Sequence, residues 1–204
     1  MYIYYITSLY FAQTIEKFYR LTSLILRHLR AFPGLCYDDC YIANMEINVL
    51  IDEGLEGRLE LSWLQSVAEQ VLVAEGVSPN VEMGLVITGQ ERVQELNRSY
   101  RGKDEPTDVL AFAMLPNERK PEADFLPFVT PPDGVLHLGE VIISHPQAAM
   151  QAEEHQHSIE REITILIIHG VLHLLGYDDE KPEPRQQMIA REAEILSRIE
   201  GEKR

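Results

Sequence analysis

His169 and His173 stand four residues apart in ITILIIHGVLHLLGYDD, an apolar stretch with helical spacing. Residues at i and i+4 share one helical face, one turn above each other, so both imidazoles can reach a single metal ion. Gly176 then supplies the residue type that tolerates positive φ; it ends the helix and turns the chain so that Asp179 can approach the same point. Two imidazoles and a carboxylate form a zinc-type donor set. The alternative is a pair of core histidines, each with its own hydrogen-bond partner. Between Ile163 and Gly176, however, only Thr164, His169, Gly170 and His173 interrupt the apolar run, and two imidazoles on one buried stripe are costly without a common partner. That cost favours the metal. Asp178 competes with Asp179 for the third position, His157 is a reserve ligand, and His137 and His155 are further candidates.

The spacing is similar to that of zinc proteases that read H-E-x-x-H-x-x-G-x-x-H/D, whose glutamate is the general base. Gly170 occupies that place here, so peptidase chemistry loses its base. A glycine there is expected to open space beside the metal for a bulkier substrate group or for a base supplied from elsewhere.

HGVLHLLGYDD, preceded by HSIERE, closely resembles the signature of the YbeY family, bacterial metal-dependent endoribonucleases of ribosomal RNA maturation. That signature ends in Tyr-Asp-His, and its three histidines hold zinc. The resemblance puts His169 and His173 on the first two and Asp179 where the third is expected, with Asp178 on the family's aspartate. An aspartate oxygen binds zinc at a similar distance, but its charge weakens Lewis acidity and suits harder divalent metals as well. A second stretch, NRSYRGKDEPTDVLAF at 97–112, resembles the family's other signature, in which an arginine before Gly-Lys-Asp is implicated in catalysis. Arg101 falls on that position. A guanidinium suits phosphodiester cleavage because it makes two parallel hydrogen bonds to phosphate oxygens and stabilises charge growing there. Lys103 either adds a point charge or faces water with Asp104 and Glu105.

The resemblance spans the chain from Met45 onward. It implies a hydrolase: a zinc-dependent, single-strand-specific endoribonuclease in ribosomal RNA processing, at the small-subunit 3′ end, and in ribosome quality control. One Zn2+ or another divalent ion is the implied cofactor, and the implied partners are ribosomal RNA and the ribosome or its associated proteins. Two other functions compete with it. One is a metal-dependent hydrolase of another substrate, such as a peptidase; the other is a noncatalytic ribosome-associated factor with a degenerate metal site.

The elements that must position these residues follow from periodicity. EINVLID alternates as a strand, LSWLQSVAEQVLVAEG carries Leu61, Leu64, Val67, Ala68, Val71 and Leu72 at helical spacing, and VEMGLVIT is a second strand. GQERVQELNRSYRG reads as a helix, TDVLAFAML and LGEVIIS as further strands, HPQAAMQAEEHQ as a short helix, and PEPRQQMIAREAEILSRIE as an amphipathic one with Met188, Ile195 and Ile199 inward. Ser158 is the expected N-cap of the metal helix. Prolines 121, 127, 131 and 132 forbid regular structure between the last two strands and mark a flap. The expected fold is one α/β (α+β) domain over 45–204, a small mixed four-stranded sheet packed by about five helices, with the metal site on a central buried helix. Trp63 on its helical stripe reads as core. Ser144 and His145 follow a strand, but no Ser-Asp-His order or nucleophile elbow accompanies them.

Residues 1–44 differ in texture: they are rich in tyrosine and isoleucine and hold both cysteines, Cys36 and Cys40. They read as an N-terminal extension or an over-long start, with a membrane-surface helix as the alternative. The opening MYIYYITSLYFAQTI is shorter than the ~20 apolar residues of a membrane span and has no basic region ahead of it. Two cysteines without a second pair read as reduced thiols, so the expected location is the cytoplasm. A formal net charge of -15 excludes RNA binding by bulk electrostatics. Any RNA must meet a local basic patch, for which Arg92, Arg98, Arg101 and Lys103 are the candidates.

Overall fold

Alternating apolar residues make Met45–Ile51 the first strand, β1, and its burial is that of an edge: Ile47 is inside while Leu50 faces water. The computed structural model describes residues 45–55, 57, 59–77, 80–114 and 134–202. The expected extension over 1–44, with Cys36 and Cys40, and the expected proline flap lie outside those residues. α1 is Leu61–Ala74, and its stripe Leu64, Val67, Ala68, Val71 and Leu72 is buried as the spacing predicts. Leu61, counted on that stripe, is exposed because it is the first residue of the helix.

β2 (Val81–Thr88) and β4 (Leu136–Ser144) are close to continuously apolar because helices cover both of their faces. α2 (Gln90–Leu96) runs on into a π-helical turn, Asn97–Arg101, which Gly102 ends at φ 70°. β3 (Val109–Ala113) precedes β4; α3 (His145–Glu154), α4 (Ile159–Leu174) and α5 (Pro182–Glu202) follow it. The four-stranded sheet has the order β1-β2-β4-β3. β1, β2 and β4 are parallel, and β3 lies antiparallel to β4 with Val109 opposite Ile143. The fold is therefore the α+β domain with a small mixed sheet that the sequence predicts. Among the described residues no helix is long and apolar enough to cross a membrane.

Two apolar clusters follow from the two sheet faces. The larger joins Met83, Leu85, Val141 and Ile143 to α1, α4 and the inner stripe of α5, Met188, Ile195 and Ile199. The smaller joins Val86, Leu110 and Ile142 to Val93 of α2. α4 is buried along most of its length, and each fully buried Ile or Leu stabilises by about 1.5–3 kcal/mol. Its N-terminus is capped by the Ser158 hydroxyl, which accepts from Arg161 N at 3.2 Å.

Gly170 sets how closely α4 approaches the sheet. A Cβ there would lie 2.5 Å from Val141 Cγ1 and 3.0 Å from Cγ2. Its missing side chain is thus replaced by β4, which corrects the expectation that this glycine opens space beside the metal. Alanine in a helix gains about 1 kcal/mol over glycine, whereas overpacking costs about 1–3 kcal/mol, and a stiff valine on a sheet cannot give way easily. Gly170→Ala is therefore expected to lower stability by up to about 2 kcal/mol, read as a lower urea midpoint at an unchanged slope.

Candidate metal centre

α4 ends in paired hydrogen bonds that shape the site. Gly176 N–H donates to the His173 carbonyl at 3.0 Å, and Tyr177 N–H reaches back to the Leu172 carbonyl at 3.0 Å, with Gly176 at φ 87°. This is the Schellman arrangement, and it reverses the chain beside the last turn of the helix. The Tyr177 carbonyl thereby accepts from His173 Nδ1–H at 3.0 Å. The far end of Tyr177 is also tied down: its hydroxyl donates to Glu75, which in turn receives Arg191 Nε at 2.6 Å. The turn carrying Asp179 is thus anchored to α1 and α5.

His169 is oriented from α5. Its Nδ1–H donates to the Glu192 carboxylate at 2.7 Å, since a carboxylate only accepts. With both Nδ1 atoms donating, both Nε2 lone pairs are left, and these face each other at 3.0 Å. Two lone pairs that close repel unless a cation lies between them. Nitrogens each ~2.0–2.1 Å from one tetrahedral zinc are about 3.4 Å apart, close to the separation seen. Asp179 Oδ1 lies 3.8 Å from His173 Nε2, and the donor atoms of His169, His173 and Asp179 all fall within 4.8 Å of one another. The residues present therefore fit a divalent metal, with Asp179 half-exposed at the rim and the open side toward solvent.

The electrostatics agree with a shared cation. Burial pulls His169 down, but the hydrogen bond and charge of Glu192, then the charges of Asp179 and Asp108, outweigh it and leave this imidazole above its usual value. Burial and the neighbouring charge on His169 hold His173 below its own. A metal must displace the proton that His169 keeps, so affinity falls as pH drops, beginning above the ordinary imidazole range. Glu192→Gln removes the charge that favours that proton and also the fixed orientation of the ring. We expect metal affinity at neutral pH to fall about 10–100-fold, with the acid loss of binding displaced to lower pH, both read by titration with Zn2+ at several pH values.

The pair opens into a cavity of about 550 Å³ between the π-helical turn, β3 and the end of α4. Arg101 lines the same cavity, as do Tyr100 and Phe112, whose rings meet edge-on at 5.1 Å. The Arg101 side chain is exposed and makes no hydrogen bond or ion pair with the described residues. The rest of the proposed basic patch is partly used elsewhere: Arg92 pairs with Asp52 at 3.1 Å, and Arg98 faces Asp104 at 4.0 Å.

Among the competing ligands, Asp178 lines the cavity, but its Oδ1 caps Glu180 N–H at 2.9 Å. His157, the reserve ligand, is not brought to the pair; its Nε2 lies 3.0 Å from Glu162. His137 pairs with Glu82 on the sheet, and His145 and Ser144 are buried at the start of α3. Sequence reasoning missed two contributors. Glu192 sits four residues after Met188 and three before Ile195, a carboxylate on the inward stripe, and that position was its signal. Asp108 lines the cavity with both carboxylate oxygens occupied, by Val109 N–H at 2.8 Å and Gln151 at 3.0 Å.

Comparison with known proteins agrees with this architecture. The profile of the family described as Endoribonuclease YbeY matches residues 53–200. A relative named Endoribonuclease YbeY from Dehalococcoides mccartyi is 52% identical over 139 residues, covering 66% of this chain and 78% of its own. Another of that name from Pelotomaculum thermopropionicum is 42% identical over 158 residues, covering 78% of this chain and 95% of its own. A solution structure from Thermotoga maritima superposes with a TM-score of 0.50 at 25% identity, over 76% of this chain and 90% of that one. With the family profile spanning most of the described domain and two relatives above 40% identity, this chain belongs to the YbeY endoribonuclease family.

Proposed function

We propose that the chain is a zinc-dependent endoribonuclease that cleaves single-stranded RNA in the maturation of ribosomal RNA, at the small-subunit 3′ end, and in ribosome quality control. The observation that carries the reading is the opening of one cavity onto both the His169–His173 pair and an exposed arginine, Arg101. His169, His173 and Asp179 would hold the ion, which supplies Lewis-acid polarisation of a phosphoryl oxygen or of the attacking water. Arg101 donates its fork of N–H groups to the same phosphate. Tyr100 and Phe112 offer flat apolar surface on which an unpaired base can stack, a mode open to single strands and closed to duplex. Asp178, Asp179 and Glu180 make the rim acidic, so a phosphate is repelled until a cation offsets them. Residues 45–204 would form the catalytic unit, with 1–44 as an appendage to it.

The test is cleavage of a single-stranded RNA and of its duplex by the purified chain, stripped with chelator and then resupplied with Zn2+. Cleavage of the single strand that disappears on stripping and returns with zinc supports the reading; cleavage of neither RNA, or cutting indifferent to metal, overturns it. Asp179→His exchanges an anionic donor for a neutral one. It should keep or raise both zinc binding and cleavage, and loss of all bound metal in that variant would show that the turn is built for a carboxylate.

A further inference from the structure

We infer that His155, His157 and Glu162 form a second divalent-metal site of the zinc type, where α3 hands over to α4. The donor atoms of all three lie within 4.8 Å of one another. His157 Nε2 is 3.0 Å and His155 Nδ1 is 3.4 Å from the same carboxylate oxygen, Glu162 Oε2. Donors ~2.0–2.1 Å from one tetrahedral ion are about 3.4 Å apart, so the three need only small movements to close on a metal.

The chemistry of Glu162 calls for a cation. Its side chain is only 5% exposed, in the first turn of α4, so water does little to solvate its charge. The neighbouring Arg161 does not supply one, since it pairs with Glu200 instead. Glu162 pairs with the two histidines. His157 Nδ1–H donates to the Ser158 carbonyl at 3.1 Å, which in the neutral ring leaves the Nε2 lone pair facing the carboxylate oxygen. A proton on His157 relieves that one contact. His155 Nδ1–H can donate to the same oxygen, whereas a divalent ion would take the lone pairs of both rings and balance the buried charge together.

The backbone between the two histidines is also unusual. Gln156 sits at φ 56°, the one positive-φ residue other than glycine among the described residues. It stands where a helix terminator normally has glycine: His157 N–H reaches the Ala152 carbonyl at 3.1 Å and Gln156 N–H the Glu153 carbonyl at 3.2 Å. This turn brings the rings of His155 and His157 together, centroids 5.5 Å apart, over Glu162. The site is separate from the first. Glu162 and His169 are seven residues apart on one helix, about 10 Å along its axis, too far to share an ion. The inference does not rest on endoribonuclease activity.

The test is Zn2+ titration of the full-length, untagged, chelator-stripped chain, followed by calorimetry and by metal analysis after dialysis. Wild type should bind two equivalents, the double variant His155→Ala, His157→Gln one, and His169→Ala, His173→Ala also one. Because the double variant disturbs a helix junction, His155→Ala alone, at a side chain 59% exposed, is the second probe and should weaken one of the two equivalents without altering the other. Equal stoichiometry and affinity in wild type and both His155 variants would overturn the site and leave Glu162 compensated by a protonated histidine. Wild type that binds one equivalent and loses it in the His155 variants would support this site while refuting the one at His169.

Discussion

His173→Ala is expected to yield a folded chain that holds no metal at the α4 centre and cleaves RNA at background. His173 is partly exposed at the last turn of α4, and the capping bonds at Gly176 and Tyr177 are made by backbone groups, so the helix end survives the substitution. What disappears is the Nε2 that faces His169 Nε2 at 3.0 Å. The remaining imidazole and a half-exposed carboxylate are two donors, below the three that catalytic zinc sites use. Altering a residue that only orients a ligand costs about 10–100-fold in affinity, so removing a ligand should exceed that range. Circular dichroism and thermal melting of the stripped proteins should nearly coincide. A His173→Ala chain that keeps the wild-type cleavage rate would remove the metal from the chemistry.

Arg101→Ala should leave both the fold and the metal intact and lower the cleavage rate by ~100- to 1,000-fold. Its guanidinium is exposed at the end of the π-helical turn and supports no described neighbour, so stability has little to lose. A phosphodiester in cleavage gains negative charge on oxygens that one metal cannot fully neutralise, in a cavity whose rim already carries Asp178, Asp179 and Glu180. Removing one preorganised donor to such charge costs about 2.7–4 kcal/mol of transition-state stabilisation. Arg101→Lys should recover only part of the loss, because an ammonium cannot reproduce the two parallel bonds. The loss should fall on kcat more than on KM. An Arg101→Ala chain as fast as wild type would return Arg101 to a surface turn and move the search for the phosphate contact to Lys103.

The parts of this protein legible in its sequence are those built from local spacing. The i, i+4 pair on α4, its Ser158 cap and its Gly176 terminator each depend on neighbours within one or two turns, and each stands where the pattern puts it. β2 is equally readable, because a strand covered on both faces is apolar at nearly every position. The rest depends on distant partners. Nothing near Gly170 says that Val141 fills its place, and nothing near His169 says that a carboxylate from α5 will orient it. Glu75 and Arg191, which anchor the Tyr177 turn, are 116 residues apart. His157 does not serve the α4 pair because it precedes the N-terminus of the helix, twelve residues and about 18 Å along the axis from His169, and its Nε2 meets Glu162 there. The sheet order β1-β2-β4-β3, with β3 inserted antiparallel at the edge, likewise follows from packing that no local period encodes.

If His169, His173 and Asp179 share one ion, anomalous diffraction at the zinc edge from crystals of the zinc-loaded chain will locate it between them. A shared ion gives a peak about 2.0–2.2 Å from His169 Nε2, His173 Nε2 and one Asp179 oxygen, with Glu192 still bonded to His169 Nδ1. No peak between the two imidazoles, or a peak there with Asp179 turned to bulk solvent and Asp178 in its place, would contradict it.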